Sequence, residues 1–383
     1  MQKKRVFVIV LDGFGIGEAP DASAFGDEGA HTLRSVCERG APDIPTLAQL
    51  GLFHIDGVSD ALSASPLCEP IGVYARLIEK SAAKDTTAGH WELMGVKTET
   101  PPPTYPHGFP QEVLSEFERL TGRGVLCNAP YSGTQVIADF GDAHRKSGEL
   151  IVYTSADSVF QIAAHEEVVS RETLYEYCRK ARRMLVGRHG VSRVIARPFA
   201  GESGAYYRTD GRRDFSIEPP RDTLLDTLKR EGLDVIGVGK IEDIFAGRGL
   251  TRAYHDAGNE ACMKRTLSLL DLDFHGLCFV NLVDFDMLYG HRRDPFGYAR
   301  ALTACDAFLS HMIGHMKESD ALIVTADHGT DPCFTKSSDH TRECVPMLLY
   351  GEGLSPRNAG TMEGLFTVSQ ITRALLFGEA LPI

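Results

Sequence analysis

The chain has 383 residues, of which 43% are hydrophobic and 24% are charged, close to the average of globular proteins. This composition excludes a disordered, collagen-like or coiled-coil chain, and the length suits two or three domains or one large domain with an insertion. The formal net charge of −12 argues against a nucleic-acid-binding surface, which needs clustered positive charge.

The cysteines and the N-terminal segment indicate the compartment. Nine cysteines without a C-x-x-C pair favour free thiols in a reducing environment. The basic start is followed by a short apolar run, Val6–Leu11, that ends at Asp12, which is typical of a first strand rather than a signal peptide. No apolar stretch reaches the roughly 18 residues of a membrane span. We therefore expect a cytoplasmic protein without a membrane contact.

Short apolar runs rich in β-branched residues alternate along the chain with longer amphipathic stretches. The runs predict strands at Arg5–Leu11, Leu150–Thr154, Arg193–Ala196, Asp234–Val238, Leu277–Val283, Ala321–Thr325 and Pro346–Tyr350. The stretches predict helices at Gln111–Leu120, Arg171–Val186, Arg221–Arg230, Asn259–Leu270, Pro295–Met316 and Thr367–Leu376. This alternation predicts an α/β fold with a mostly parallel sheet.

Two proline-rich segments divide the sequence. Neither Thr98–Pro106 nor Glu218–Pro220 can continue a helix or a central strand. The segment between them has its own strands and helices. We therefore expect a discontinuous core of residues 1–100 and 220–383, with a smaller α/β domain of residues 101–219 inserted into it.

The first two candidate site segments each lie where a strand is expected to end. Asp12 directly follows the first strand and precedes glycines, so its carboxylate could contact a cation. Thr86 begins a helix in Lys84–Glu92, where free backbone N–H groups favour a phosphate. Ordinary turn or helix capping by Asp12, Asp85 or Thr86 is the alternative explanation.

Two later segments carry carboxylates and imidazoles. Asp284 and Asp286 are two residues apart, so both could point the same way at a strand end, and His291 follows across a turn. Asp327 and His328 directly follow another apolar strand, and His340 comes a little later. Carboxylate with imidazole suits Mn²⁺, Zn²⁺ or Mg²⁺, although an exposed polar loop remains the alternative for the first of these segments.

Together the four segments supply enough ligands for two three-ligand metal sites and one hydroxyl. The ligands are Asp12, Asp286, His291, Asp327, His328 and His340, and the hydroxyl is that of Thr86. Two adjacent metals can stabilise the attacking and leaving oxygens of a phosphoryl transfer, and a metal beside a hydroxyl makes it a competent nucleophile.

The sequence resembles the alkaline phosphatase superfamily of two-metal phosphoryl-transfer enzymes and, within it, the phosphopentomutase family. The segments that carry the resemblance are Asp12–Asp21, Lys84–Glu92, Tyr153–Val159, Arg193–Phe199, Arg213–Ser216, Val238–Ile241, Val283–Arg293 and Asp339–Glu343. The resemblance implies an alkaline-phosphatase-like catalytic core and an inserted cap that binds substrate. It places Asp12, Thr86, Asp327 and His328 around one metal, and Asp286, His291 and His340 around the other.

The resemblance also implies an activity. The family interconverts ribose 1-phosphate and ribose 5-phosphate, or their deoxyribose counterparts, within nucleoside catabolism. Thr86 would carry the phosphoryl group, with Thr87 as the competing candidate. The expected cofactors are two Mn²⁺, with Mg²⁺ or another divalent ion as alternatives, and a priming sugar bisphosphate such as glucose 1,6-bisphosphate. We expect a monomer that binds small pentose phosphates and no nucleic acid.

The inserted segment holds candidate substrate contacts. Residues 179–213 include nine arginines, and Arg is well suited to bidentate phosphate binding. Arg193 and Arg197 flank a predicted strand and Arg208 lies in a loop, so these three are the better candidates for the phosphate distal to the metals. Ser155 and Asp157 could bond sugar hydroxyls, and Lys240, in the core, could contact phosphate.

Three alternatives and three departures from the family remain. The chain could instead be a phosphatase or a cofactor-independent phosphoglycerate mutase-like enzyme, which usually has Ser at position 86, or a non-catalytic metal-binding protein.

Gly13 lies where the family usually has Ser, Thr330 replaces a usual Asn, and residues 336–338 replace a small turn. None of these positions is a proposed ligand, so they bear on loop shape.

Overall fold

The computed structural model describes residues 3–62, 68–155, 158–337 and 339–383. The chain divides into two compact units, one of Met1–Thr100 with Pro219–Ile383 and one of Pro101–Glu218. We call the first the core unit and the second the insert unit.

Strands occur in both units of the described chain. In chain order they are β1 (Arg5–Leu11), β2 (Val73–Ile78), β3 (Val125–Pro130), β4 (Leu150–Thr154), β5 (Val159–His165), β6 (Arg193–Ala200), β7 (Tyr207–Arg208), β8 (Arg213–Ser216), β9 (Asp234–Val238), β10 (Arg252–Tyr254), β11 (Gly276–Leu282), β12 (Asp320–Thr325), β13 (Val345–Tyr350) and β14 (Arg357–Glu363).

The α-helices of the same residues alternate with these strands over much of the chain. They are α1 (Ala22–Phe25), α2 (Thr32–Gly40), α3 (Pro45–Leu50), α4 (Val58–Leu62), α5 (Thr86–Leu93), α6 (Gln111–Thr121), α7 (Gln135–Ser147), α8 (Arg171–Met184), α9 (Leu224–Arg230), α10 (Ile241–Ile244), α11 (Gly258–Leu270), α12 (Pro295–His315) and α13 (Thr367–Phe377). Local signals explain several starts: Thr223 and Asp226 form a capping box before α9, and a proline opens α3 and α12.

The core unit is built on an eight-stranded sheet in the order β10-β9-β11-β1-β12-β13-β2-β14. All pairs are parallel except those that β13 makes with β12 and β2, so the expected mostly parallel α/β fold is confirmed. β1 lies between β11 and β12 with every residue buried. Leu11 pairs with Leu282, and Val10 pairs with Thr325, so these three strands end at one edge of the sheet.

The predicted strands all exist: three have the predicted bounds, three differ by one residue at one or both ends, and β6 extends to Ala200. Of the strands that were not predicted, β2 and β5 are almost wholly buried, whereas the others are short or partly exposed. β14, for example, is a largely exposed polar edge strand, and its pattern does not alternate in hydrophobicity because neither face is fully buried.

The insert unit has a six-stranded mixed sheet in the order β3-β4-β5-β6-β7, with β8 also paired to β6. Its two faces carry separate hydrophobic clusters. Val194 and Ala196 of β6 point into the larger cluster with residues of α6 and α8. On the other face, α7 packs its Val136 and Ile137 against Phe199. This alternation leaves the side chains of odd-numbered β6 residues on the α7 face.

Two general expectations concern the cysteines and the membrane. All nine cysteines are free thiols in the structure. No helix within the described ranges has the length and apolar character to cross a membrane.

Candidate active site

The edge where β1, β11 and β12 end gathers buried ionisable side chains. Asp12 and Asp327 are fully buried, His328 is 1% exposed and Asp286 is 7% exposed. Three carboxylates and an imidazole are costly to bury unless they are paired or bind a cation. The sequence predicted this gathering because the carboxyl ends of parallel strands share one edge.

The Thr86 hydroxyl lies against the first group of predicted ligands. Its Oγ1 is 3.4 Å from Asp12 Oδ1 and 3.2 Å from His328 Nε2. His328 Nε2 is in turn 3.4 Å from Asp12 Oδ1 and 3.3 Å from Asp327 Oδ2. The four residues that the resemblance assigns to one metal therefore lie together.

The second group consists of Asp286, His291 and His340. The Nε2 atoms of the two histidines are 3.1 Å apart and lie 3.4 and 3.5 Å from Asp286 carboxylate oxygens. His340 reaches this place because Gly329 and Thr341 exchange two backbone hydrogen bonds of 3.2 and 2.8 Å, which fold the loop back onto the strand end.

Two overlapping sets of these residues have the geometry of possible cation sites. One ligand atom from each of Asp286, His291 and His340 can be chosen so that all lie within 4.8 Å of one another, and the same holds for Asp12, Asp286 and His328. Asp286 is common to both sets. The structure thus joins the predicted metal-site residues into one cluster.

One sequence expectation about this region is wrong. Asp284 and Asp286 do not act side by side, because β11 ends at Leu282 and residues 285–290 form a π-helical turn. Asp284 instead accepts a 2.7 Å hydrogen bond from the Asn259 backbone N–H near the start of α11. Only Asp286 faces the histidines, so the two-residue alternation of a strand does not apply here.

Thr86 is positioned by the start of α5. Asp85 caps this helix by accepting from the N–H groups of Thr87 and Ala88 at 2.9 and 3.2 Å. At Gly89, a Cβ would lie 2.3 Å from the backbone oxygen of Asp327. Only glycine therefore lets α5 approach the loop after β12, which carries Asp327 and His328, this closely. The described contacts of Thr87 involve its backbone and not the ligand cluster, which favours Thr86 over Thr87.

Two buried residues outside the predicted set connect the carboxylates of the first group. Asn281 Nδ2 donates to Asp12 Oδ2 at 2.7 Å and lies 3.2 Å from His90 Nε2. His90 Nδ1 lies 2.9 Å from both the Thr86 carbonyl oxygen and Asp327 Oδ2. His90 and Asn281 thus link both carboxylates to α5, as outer residues commonly do around metals. The sequence signal available for them was that His90 lies within Lys84–Glu92 and Asn281 two residues before Val283.

Thr330 holds Asp286 of the second group through a hydrogen bond. Its Oγ1 donates to Asp286 Oδ1 at 2.7 Å. Gly13 has a φ of 78°, and a Cβ there would lie 2.5 Å from Thr330 Oγ1. Positions 13 and 330, where the resemblance implies Ser and Asn, are therefore in close contact, and the Thr330 side chain occupies the space that a larger residue 13 would need.

Glu343 connects the loops around the cluster through hydrogen bonds. Its carboxylate is buried and accepts hydrogen bonds from the N–H groups of Gly17 and Thr32 and from the hydroxyls of Thr32 and Thr341. Burial, with the nearby Asp331, raises the pKa of Glu343 to about 7. This residue ties the strand end after β1 to the segment that carries His340.

The pKa shifts of the cluster show that its carboxylates favour a positive charge beside them. Burial raises the pKa of Asp12, and neighbouring Asp327 raises it further. Burial lowers the pKa of His328, but Asp327 and Asp12 outweigh burial and hold it well above its usual value. Burial likewise opposes ionisation of Asp286, yet the contacts with His340 and the other imidazoles lower its pKa. The carboxylates stabilise a positive charge on His328, and a bound cation could supply that positive charge instead.

The residues fit a divalent metal on one further observation. His90 Nδ1 can carry one hydrogen and lies 2.9 Å from both the Thr86 carbonyl oxygen and Asp327 Oδ2, so these two buried oxygens share it. A buried carboxylate oxygen that has only a shared donor is poorly satisfied and suits a metal ligand. Carboxylate oxygens with imidazole nitrogens are the donors that Mn²⁺, Zn²⁺ and Mg²⁺ sites use.

The insert unit contains a separate cavity of about 320 Å³ on the α7 side of its sheet. It is lined by two of the predicted substrate contacts of β6 and β7, Arg193 and Arg208, and by Ser155. Arg197, the third arginine favoured from the sequence, also lines it, as does Arg212, which was not singled out. The cavity is therefore strongly cationic.

The other two predicted substrate contacts are Lys240 and Asp157. Lys240 follows β9 at the start of α10 and is exposed, and no side-chain contact described for it reaches the ligand cluster. Asp157 lies outside the described residues.

Comparison with known proteins shows the family. A sequence model of the Metalloenzyme superfamily matches residues 4–377, so the chain is a member of this class. Curated relatives named phosphopentomutase match almost all of it. The protein from Lachnoclostridium phytofermentans is 52% identical over 97% of this chain and 94% of its own length. That from Caldanaerobacter subterraneus subsp. tengcongensis is 49% identical over 99% and 98%. The chain therefore belongs to the phosphopentomutase family, as the resemblance predicted.

A solved structure supports the fold. The PH0037 protein from Pyrococcus horikoshii aligns with a TM-score of 0.53 over 99% of both chains at 16% identity. At that identity the likeness concerns the architecture alone.

Proposed function

We propose that this chain is a phosphopentomutase that moves a phosphoryl group between the 1- and 5-positions of ribose or deoxyribose through phospho-Thr86. The observation that carries the proposal is the Thr86 hydroxyl, 3.4 Å from Asp12 Oδ1 and 3.2 Å from His328 Nε2. The names of relatives about 50% identical over nearly the full chain support the substrate class.

The residues of the core unit prepare Thr86 for phosphoryl transfer. Thr86 begins α5, where its backbone N–H is not used within the helix and favours an anionic group. Asp12, Thr86, Asp327 and His328 would hold one divalent cation and Asp286, with its two histidines, a second. Bound cations would lower the pKa of the hydroxyl and neutralise charge on the transferring group.

The proposed reaction conserves the phosphoryl group. The bond between Thr86 Oγ1 and phosphorus breaks as a bond forms from phosphorus to a free hydroxyl of the pentose phosphate. The proton of that sugar hydroxyl ends on Thr86 Oγ1. The resulting bisphosphate then returns its other phosphoryl group to Thr86, which regenerates the phosphoenzyme and leaves the isomeric monophosphate. A sugar bisphosphate such as glucose 1,6-bisphosphate would load Thr86 at the start.

The cavity of the insert unit suits the part of the substrate that does not react. Arg193 and Arg208 would bind the distal phosphate, with Ser155 and Asp157 at the sugar hydroxyls. Asp214 lies 3.5 Å from Arg193 and can orient that guanidinium. We retain Lys240 as a phosphate contact and the substrate-binding cap role of this unit as predictions.

The metals, the compartment and the assembly complete the proposal. We propose Mn²⁺ as the preferred ion, with Mg²⁺ or another divalent ion as substitutes, in a cytoplasmic monomer that binds neither nucleic acid nor membranes. Sedimentation of the purified protein and activity after loading with single metals test these points.

The test compares Thr86→Ala with Thr87→Ala, its neighbour in the same helical turn. With Mn²⁺ and glucose 1,6-bisphosphate present, Thr86→Ala should lose ribose 1-phosphate to ribose 5-phosphate conversion by at least about 10³-fold, while it retains bound metal. Thr87→Ala should stay within a few-fold of wild type. Near wild-type turnover by Thr86→Ala would refute the covalent route, and release of inorganic phosphate as the main product would identify a phosphatase instead.

A further inference from the structure

A buried hydroxyl without a partner lies beside the cavity of the insert unit. Tyr153 is 1% exposed, and its hydroxyl has no hydrogen-bond partner among the described residues. Buried hydroxyls are almost always hydrogen-bonded, so one that is not indicates a missing partner. The ring itself is held by the hydrophobic cluster of α7, which fixes where the hydroxyl points.

The sheet register places Tyr153 on the cavity side. Tyr153 pairs with Gln161, and Gln161 pairs with Ile195 across three adjacent strands. Residues directly opposite in a sheet project from the same face. Gln161 and Ile195 both line the cavity, so the hydroxyl of Tyr153 belongs to the same face.

Gly133 shows what the hydroxyl faces. This glycine lines the cavity, and a Cβ built on it would lie 3.0 Å from Tyr153 Oη and 3.6 Å from Arg208 Nη1. Because Gly133 has no side chain, the hydroxyl and this guanidinium border the same space in front of its Cα. A ligand oxygen in contact with that Cα lies within reach of both groups, whereas a side chain at position 133 would exclude it.

The surrounding charge selects an anionic oxygen. Arg193, Arg197, Arg208 and Arg212 all line the cavity, and Asp214 pairs with Arg212 at 2.9 Å. Burial raises the pKa of Tyr153, although Arg197, Arg208 and Arg212 oppose this, so the hydroxyl is a donor at neutral pH. A donor beside guanidinium groups matches an oxygen of a phosphate better than a sugar hydroxyl.

We propose that the Tyr153 hydroxyl donates a hydrogen bond to a phosphate oxygen that also contacts Arg208, and that Gly133 keeps this oxygen position open. The inference rests on the proposed function and deepens it, because it adds two residues that set the affinity for the distal phosphate of the substrate.

The experiment measures ribose 5-phosphate binding by calorimetry in the Thr86→Ala background, where turnover does not interfere. Adding Tyr153→Phe removes only the hydroxyl and should weaken binding by about tenfold or more, as expected for a hydrogen bond to a charged group. Adding Gly133→Ala, at a position without a positive φ, should weaken binding similarly because its methyl, 3.0 Å from the Tyr153 hydroxyl, excludes the ligand oxygen from this space.

Tyr206→Phe is the matched control. The Tyr206 hydroxyl donates to Asp142 Oδ1 at 2.6 Å and is thus already used, so its removal should leave the affinity within twofold. The melting temperature without ligand separates binding from folding. Tyr153→Phe should melt no lower than its parent, because the hydroxyl has no partner to lose among the described residues.

Each outcome supports or overturns the inference. If the Thr86→Ala parent binds ribose 5-phosphate and both Tyr153→Phe and Gly133→Ala bind it equally well, the inference is wrong while the proposed function stands. If Tyr153→Phe melts several degrees lower with unchanged affinity, the hydroxyl has a structural partner and the inference is again wrong. If the parent itself does not bind ribose 5-phosphate, the proposed substrate class is wrong, and the inference that rests on it is overturned as well.

Discussion

Replacing Asn281 by Ala should weaken metal binding without removing any ligand. The Asn281 amide donates to Asp12 Oδ2 at 2.7 Å and lies 3.2 Å from His90 Nε2, and no solvent reaches it. Loss of a hydrogen bond to a buried charge costs about 1.5–3 kcal/mol, and loss of an outer partner of a ligand lowers metal affinity about 10- to 100-fold. The two magnitudes agree, since about 1.4 kcal/mol corresponds to tenfold in affinity.

The assay is a calorimetric titration of metal-free protein with Mn²⁺. Asn281→Ala should raise the dissociation constant about 10- to 100-fold, and kcat should recover in part at saturating Mn²⁺. Asn358→Ala, which removes a surface amide bonded to Asp56, is the control and should match wild type. Mn²⁺ affinity within twofold of wild type in Asn281→Ala would refute the reasoning that this amide orients Asp12.

Three further predictions concern stability. Gly13→Ser should lower the free energy of unfolding by about 2 kcal/mol in urea, because φ is 78° and the new side chain meets Thr330 Oγ1; adding Thr330→Ala should restore part of the loss, and strict additivity would contradict the coupling. Burial lowers the pKa of His31 to about 4, so the folded state disfavours its protonation and stability should fall as pH drops from about 6.5 to about 4. His31→Asn keeps an acceptor for the Arg34 N–H and should abolish up to about 3 kcal/mol of this pH dependence; an unchanged pH profile of melting would contradict it. Removing divalent cations with EDTA should lower the melting temperature and Mn²⁺ should restore it, whereas identical melting with and without metal would argue against occupied sites.

The sheet could be predicted from sequence because its central strands are continuously buried. Arg5–Leu11 and Asp234–Val238 were predicted with the bounds that the structure has, since a short run of apolar β-branched residues between polar turns has few other interpretations. The edge strand β14 could not be predicted in this way, because its partly exposed residues follow no hydrophobic period.

The candidate ligands could also be predicted, because each follows a predicted strand and parallel strands end together. Asp284 shows the limit of this reasoning: its role depended on where β11 stops and a π-helical turn begins, which the spacing of two carboxylates does not reveal. The sequence did not predict a role for His90 and Asn281 for a related reason. Their function lies in contacts between α5, β11 and the loop after β12, and no local pattern specifies such contacts.

The cavity of the insert unit shows the same division. The arginine-rich segment predicted cationic character, but only the β6 register separates Arg193 and Arg197 on the cavity face from Val194 and Ala196 in the opposite cluster. Tyr153 gave no signal in sequence, since a tyrosine in an apolar strand is indistinguishable from a core residue until its hydroxyl is found without a partner among the described residues.

The most direct test of the account is a crystal of the Mn²⁺-loaded protein measured at the manganese absorption edge, after incubation with glucose 1,6-bisphosphate. We predict two anomalous peaks, one contacting Asp12, Asp327 and His328 and one contacting Asp286 and the two histidines, with phosphate density on Thr86 Oγ1. Manganese bound elsewhere, or a phosphorylated residue other than Thr86, would contradict the claim that two cations act together at this hydroxyl.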